Sequence, residues 1–190
     1  MNNLSPTLLH TAWTEEEKEQ IDETIEFVES YNGKNFLLDA CLHLYRYLRV
    51  DYIVLGLVEN QTEPTVRTTV FLLRGLQVEN ISFPLVGSPG ESVIHNKDHY
   101  YPSGVQNLYP QDKLLAQMAA ESFIGIPLFG HKDKKVGILS LLHNTIIQHG
   151  GFVEALINVL LPRIEDELSY TNAISLNKFL PVPALKTFAN

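Results

Sequence analysis

Residues 52–58, YIVLGLV, leave few folds open. The run is apolar on both faces and rich in β-branched and other large aliphatic residues, as a central strand covered on two sides is. A layered sandwich follows, with material above and below one sheet. Segments 66–73 and 76–85 read as further strands about Arg74-Gly75, a hairpin turn. Residues 122–128 and 136–143 form a second hairpin through 131–135, whose charges mark a solvated turn. Helical periodicity brackets these strands. Thr14 and Glu17 make a capping box, followed by Ile21, Ile25 and Val28 on one face of a first helix. After the Asn32-Gly33 stop, Leu37, Cys41, Leu44 and Leu48 line a second helix that ends at Arg49-Val50. Phe152, Leu156, Val159, Leu160, Ile164 and Leu168 define a final helix over 152–168, in which Pro162 predicts a kink or a shifted start.

The predicted fold class is therefore α+β, an α/β sandwich. Its central antiparallel sheet has five or six strands, with the terminal helices on one face. The other face falls to residues 87–118, where Pro89, Gly90, Pro102, Gly104 and Pro110 interrupt two short helical pieces near 90–96 and 111–119. A loop-rich stretch of this length inside a compact domain is usually functional or a lid.

That stretch and the hairpin after it carry ordered signatures: Gly87, Ser88 and Pro89; Tyr101 and Pro102; Val105 and Gln106; Pro110 and Asp112; residues 121–128; and the Gly-containing strand 136–142. Together they resemble the ligand-binding half of a GAF domain, a sensory module of signalling proteins with a GAF/PAS-like sheet. The resemblance covers roughly residues 33–168. It implies a domain over 14–168 that includes the acidic first helix, an N-terminal tail over 1–13 and a C-terminal tail over 169–190. It also implies a small-molecule pocket on the sheet face opposite the terminal helices. A pocket needs an apolar lining with a few placed polar groups. The candidate lining is Glu91, Tyr100, Tyr101, Tyr109, Met118, Glu121, Ser122, Phe123 and His143. Two plainer readings stand beside this one: the tyrosines cap the core with their hydroxyls in water, and Glu121 orders the turn before its strand. No cofactor is assigned.

Several chemistries meet poor support in the residues. The GAF proteins that reduce free methionine sulfoxide use a nucleophilic and a resolving cysteine, and this chain has one cysteine, Cys41, on an apolar helix stripe. Gly90 stands where many relatives carry a cysteine, which argues against thiol chemistry and covalent bilin attachment there. Asn96 and Lys97 begin like a cyclic-nucleotide signature, but its Phe and Asp-Glu pair do not follow. His95 and His99 stand four apart, yet their rings diverge if His99 is already in a strand, so no metal site is assigned. The expectation is a protein that is not an enzyme.

Charge and length bound the partners. The chain has 190 residues, 22 acidic and 14 basic, and the acidic surplus concentrates in residues 15–29. No basic stripe offers counterion release on a phosphate backbone, so nucleic-acid binding is disfavoured. No apolar run approaches the roughly 20 residues of a spanning helix. The N-terminus lacks the features of a secretory signal, and the cysteine usage suits a reducing compartment, so a cytoplasmic location is expected.

The resemblance further implies a homodimer through the terminal helices. With no output domain expected after Tyr170, a signal would leave through dimerisation or a separate partner. Pro181, Pro183, Phe179, Leu180, Leu185 and Phe188 make the C-terminal tail either a docking segment or a strap over its own domain. Three functions are carried forward: a small-molecule-sensing regulatory module, a non-catalytic dimeric scaffold with a vestigial pocket, and, disfavoured, a methionine sulfoxide reductase.

Overall fold

The computed structural model describes residues 13–59, 62–95, 99–130 and 134–177, with side chains to 169. The expectations for residues 1–12, the Asn96-Lys97 pair, the hairpin tip at 131–133 and the docking segment beyond 177 lie outside them. The described residues form six helices and seven strands: α1 (Glu15–Ser30), α2 (Phe36–Leu48), β1 (Tyr52–Val58), β2 (Thr65–Leu73), β3 (Leu76–Gln77), β4 (Ser82–Pro84), α3 (Pro89–His95), β5 (His99–Tyr101), α4 (Val105–Leu108), α5 (Lys113–Met118), β6 (Ser122–Phe129), β7 (Lys135–His143) and α6 (Gly150–Asn177).

All strand pairs are antiparallel, in the order β3-β2-β1-β7-β6-β5, with β4 pairing with β2 off that path. The single strand expected over 76–85 is thus two short strands, and a bulge accounts for the break. Leu55 pairs with Val70 but Gly56 pairs with Thr68, so Thr69 is an extra residue in β2. Opposite it the ladder is completed by side chains: the Ile81 amide donates to Thr68 Oγ1 at 2.8 Å, and Asn80 Nδ2 to the Thr69 carbonyl at 3.2 Å. The bulge also shifts the pleat. Val70 joins the core under the long helices, whereas Val66, four residues earlier, joins the core on the other face. The hairpin turn at Arg74-Gly75 is as expected, with φ of 48° and 77°, the double-positive pattern of a type I′ connection.

The long helices α1, α2 and α6 cover one face. Their core joins Phe36, Leu37, Cys41 and Leu44 of α2 and Leu156, Leu160 and Ile164 of α6 to Ile53, Leu55, Leu139 and Leu141 of the sheet. Each fully buried aliphatic side chain there removes enough surface from water to contribute about 1.5–3 kcal/mol. The Thr14–Glu17 capping box forms in full, worth about 1 kcal/mol. The stripe of α1 is shifted from its expected position. Ile25 is 39% exposed, while Thr24 is buried, donating to the Gln20 carbonyl at 2.7 Å and meeting His43 Nε2 at 2.9 Å. A polar residue takes the buried place because the helix backbone and His43 satisfy its hydroxyl.

The final helix is longer than 152–168. It starts at Gly150, runs to Asn177 and contains Pro162 without being divided by it. Pro162 and Asn158, whose carbonyl loses its helical donor, are both exposed. Water can serve that carbonyl, which lowers the cost of an internal proline.

Candidate functional site

On the opposite face of the sheet, α3, α4 and α5 replace the long helices, and a small cavity of about 40 Å³ remains between them and the strands. Strand register builds its floor. Val54 pairs with Ser140 and Ser140 with Gly125, while Leu142 pairs with Phe123 and Phe123 with Tyr101, so two rows of side chains project from the same face. Val54, Ser140, Leu142, Phe123 and Ile138 line the cavity from below. Phe83, Leu85, Ser88, Pro89 and Gly90 form one wall, and Asp112, Leu114, Leu115 and Met118 close it from α5. Two glycines bring the cover close. A Cβ on Gly90 would lie 2.7 Å from Leu85 Cδ2, and one on Gly125 would lie 2.5 Å from Val93 Cγ2 of α3.

Polar ties hold this cover. Glu91 Oε2 accepts from the Gly87 amide at 2.8 Å, and Ser88 Oγ donates to the Leu85 carbonyl at 2.7 Å. Asp112 caps α5, its Oδ1 accepting from the Leu114 and Leu115 amides at 2.9 and 3.1 Å. Glu121 Oε1 accepts from the Gly104 amide at 2.8 Å, its carbonyl accepts from the Val105 amide at 3.1 Å, and Gln106 Nε2 donates to the Ala120 carbonyl at 2.9 Å. Lys135 Nζ, at the start of β7, donates to the Ile94 carbonyl at 2.7 Å and so ties the end of α3 to the hairpin. The Tyr101 and Tyr109 hydroxyls lie 2.7 Å apart, and Tyr109 meets Ser92 Oγ at 3.2 Å. Burial, then the bond to Tyr109, pushes the Tyr101 phenol up to about 12, so it stays protonated through the ordinary pH range.

The candidate lining residues therefore separate into groups. Met118 and Phe123 line the cavity. Tyr101 and Tyr109 pack against the same core as part of its cover, and Glu91 and Glu121 order turns around it. Tyr100, Ser122 and His143 are corrected, because the two-residue period of β5, β6 and β7 sends them to the helix face. The Tyr100 hydroxyl donates to the Ile147 carbonyl at 2.5 Å, and Ser122 Oγ to the Thr145 carbonyl at 2.7 Å. His143 Nδ1 lies 2.8 Å from Asp51 Oδ2. Sequence reasoning missed Val54, Leu85, Leu115, Ile138, Ser140 and Leu142. Alternation along the two central strands held the signal for the strand residues, since those in phase with Phe123 share its face.

His143 borders a wider groove of about 460 Å³ on the helical side, with Glu17, Tyr47, His149 and Phe152. Its polar groups are largely engaged: Glu17 Oε2 with the Thr14 amide, Glu17 Oε1 with His149 Nδ1 at 3.3 Å, and Tyr47 with Glu23. The smaller cavity is the better candidate because its lining is mostly apolar and lies between the sheet and the irregular segment. Cys41 is fully buried, which pushes its thiol up to about 12, away from a nucleophilic thiolate. Among the described residues no group of three or more His, Cys, Asp or Glu is arranged to hold a metal ion. His99, expected in a strand, is in β5 with Nε2 3.1 Å from the Ser92 carbonyl. No helix among the described residues is long and apolar enough to cross a membrane.

No protein-family model matches the sequence, and no curated protein matches it either. Solved structures do. The GAF domain from an Acinetobacter phosphoenolpyruvate-protein phosphotransferase superposes with a TM-score of 0.63 at 13% identity, covering 86% of this chain and 99% of that one. The fRMsr of Staphylococcus aureus, in its reduced form, gives 0.61 at 12% identity over 82% of this chain and 99% of that one. The phycocyanobilin-bound GAF domain from a cyanobacterial phytochrome gives 0.58 at 10% identity over 86% and 98%. Sequence identities this low carry no activity or ligand across, whereas agreement over nearly the whole of each domain establishes the architecture. With its antiparallel sheet between terminal helices and a short-helix cover, this chain has the fold of a GAF domain.

Proposed function

We propose that this chain is a non-catalytic regulatory module that takes up a small molecule between the sheet and the α3–α5 cover and passes occupancy to α6. The observation that carries the reading is the position of the β6–β7 hairpin between cavity cover and terminal helix. Phe129 and Lys135 are the cross-strand pair next to its turn. Lys135 holds the end of α3, and the Phe129 amide donates to Glu165 Oε1 of α6 at 2.8 Å. A ligand that shifts α3 would act on one residue of this pair and reach α6 through the other, provided its affinity differs between two arrangements. Homodimerisation through α1 and α6 is the proposed route onward, and a cytoplasmic location is proposed with it. The buried thiol of Cys41 supports the non-catalytic reading over methionine sulfoxide reduction.

Native mass spectrometry of freshly purified protein tests this. A dimer with a stoichiometric extra mass, released on denaturation, is the expected result. A second reading has its own observation: the cavity is small and filled at its edges by Leu85, Met118 and Leu142, as in a scaffold with a vestigial pocket. A species that carries no extra mass, together with α6 amide exchange unchanged by Lys135→Met, would overturn the sensor reading and leave the scaffold.

A further inference from the structure

The Ser140 hydroxyl is the polar feature of the cavity that the fold does not use. Ser140 is 5% exposed, lies at the centre of β7 and faces the cavity beside Val54. Every fully enclosed side-chain oxygen and nitrogen of the described residues has a hydrogen-bond partner. The other two polar side chains of the lining are engaged as well, Ser88 with the Leu85 carbonyl and Asp112 with the first turn of α5. Ser140 Oγ has none among the described residues, and it is reached from the cavity. A hydroxyl can donate once and accept twice, so Ser140 offers one polar anchor in a site otherwise lined by Val54, Phe83, Leu85, Leu115 and Leu142.

We propose that the cavity takes a neutral molecule of about three or four non-hydrogen atoms, with an apolar body and one hydrogen-bonding head seated on Ser140. The inference rests on the cavity being a binding site. Size follows from the seated volume: each water-sized position needs at least about 10–15 Å³, so the space of about 40 Å³ seats roughly three, and a larger molecule would extend out through its open side. Neutrality follows from the lining. Asp112 is its sole charged side chain among the described residues, and no basic group faces the space. An anion would lose its hydration without a counter-charge, and Asp112 would repel it. A cation would trade its hydration for Asp112 alone, whose Oδ1 already accepts from the α5 amides, in an otherwise apolar lining. A molecule with no polar head would give the Ser140 hydroxyl no partner.

Methyl-detected NMR titrations with 2-propanol and isobutane, isosteres that differ by a hydroxyl, test this. In the unmodified protein both should shift the methyls of Val54, Leu115, Ile138 and Leu142 saturably, 2-propanol more tightly. Ser140→Ala should weaken 2-propanol about three- to tenfold, the loss of one hydrogen bond, and leave isobutane equal or tighter. Ser140→Cys, nearly isosteric with a poorer hydrogen-bonding group, should fall between them. If both probes bind and neither variant alters their ratio, the Ser140 inference fails while the cavity remains a binding site. If neither probe shifts these methyls in the unmodified protein, the cavity reading itself fails.

Discussion

The two faces of the sheet share the same strands and are covered in opposite ways. On one, α1, α2 and α6 bury a continuous aliphatic core that includes Leu44, Leu139, Leu141, Leu156 and Leu160, all with no measurable exposure. On the other, α3, α4 and α5 are four to seven residues long and are positioned by carboxylates, a lysine and tyrosine hydroxyls acting on turns and helix ends. Helices that short gain little from their own hydrogen bonds. The helix face thus holds the larger aliphatic core, while the cover combines a smaller core with polar ties to its turns and helix ends.

Substitution on the helix face should have the largest effect. Leu141→Ala is expected to lower unfolding free energy by about 3–5 kcal/mol, measured by urea denaturation. The comparable truncation on the cover, Leu115→Ala, is expected to cost about 2 kcal/mol, near the lower end for such changes, because a six-residue helix can settle into the space. Equal losses would erase the distinction between the faces.

Asp51 sharpens the contrast through pH. Immediately before β1 it accepts from Arg74 Nε at 2.8 Å, His143 Nδ1 at 2.8 Å and the Asn144 amide at 2.9 Å, joining the start of β1 to the β2–β3 turn and the end of β7. Burial pushes its carboxyl up, but Arg74, the Asn144 amide and His143 together outweigh this and hold it below the usual carboxylate range. Its folded value is thus depressed. The stability it contributes is full above the unfolded-state value, about 3.9, and is lost as pH falls through the lower folded value. Asp51→Ala should cost about 1–3 kcal/mol near neutrality, the solvent-screened Arg74 arm contributing least. In a series of denaturation curves, the gap from the unmodified protein should close below about pH 4.

Smaller effects probe the cover and the core locally. Lys135→Met should speed amide hydrogen exchange at the end of α3 by about threefold or more, since it removes the tie to the Ile94 carbonyl, with little change in global stability. Exchange in α2 should stay the same. Cys41, with its thiol pushed up to about 12, should react with a thiol reagent no faster than the domain unfolds. Rapid labelling of native protein would show that the helix face opens locally.

Much of this contrast was legible beforehand, for reasons that lie in particular residues. The doubly apolar run at 52–58 required two covering layers, and the repeats through Leu37, Cys41 and Leu44 and through Leu156, Leu160 and Ile164 named the helices of one of them. The Val105, Gln106 and Glu121 signatures marked contacts that the fold makes, Glu121 serving the Gly104 amide as its plainer reading has it. Tyr100, Ser122 and His143 misled because proximity in sequence to an apolar strand does not specify which face a residue takes.

What the sequence determined by itself was the kind of layer on each side of the sheet, because hydrophobic period and turn chemistry act over a few residues. Only the tertiary structure decided where the pleat changes phase, how Pro162 sits within a continuing helix and which hydroxyl stays unpaired. Thr69 shifts the β2 register relative to β1, Pro162 keeps a solvent-facing position on α6, and Ser140 lies between Val54 and Gly125 of neighbouring strands. Each depends on partners distant in the chain, which no local pattern encodes.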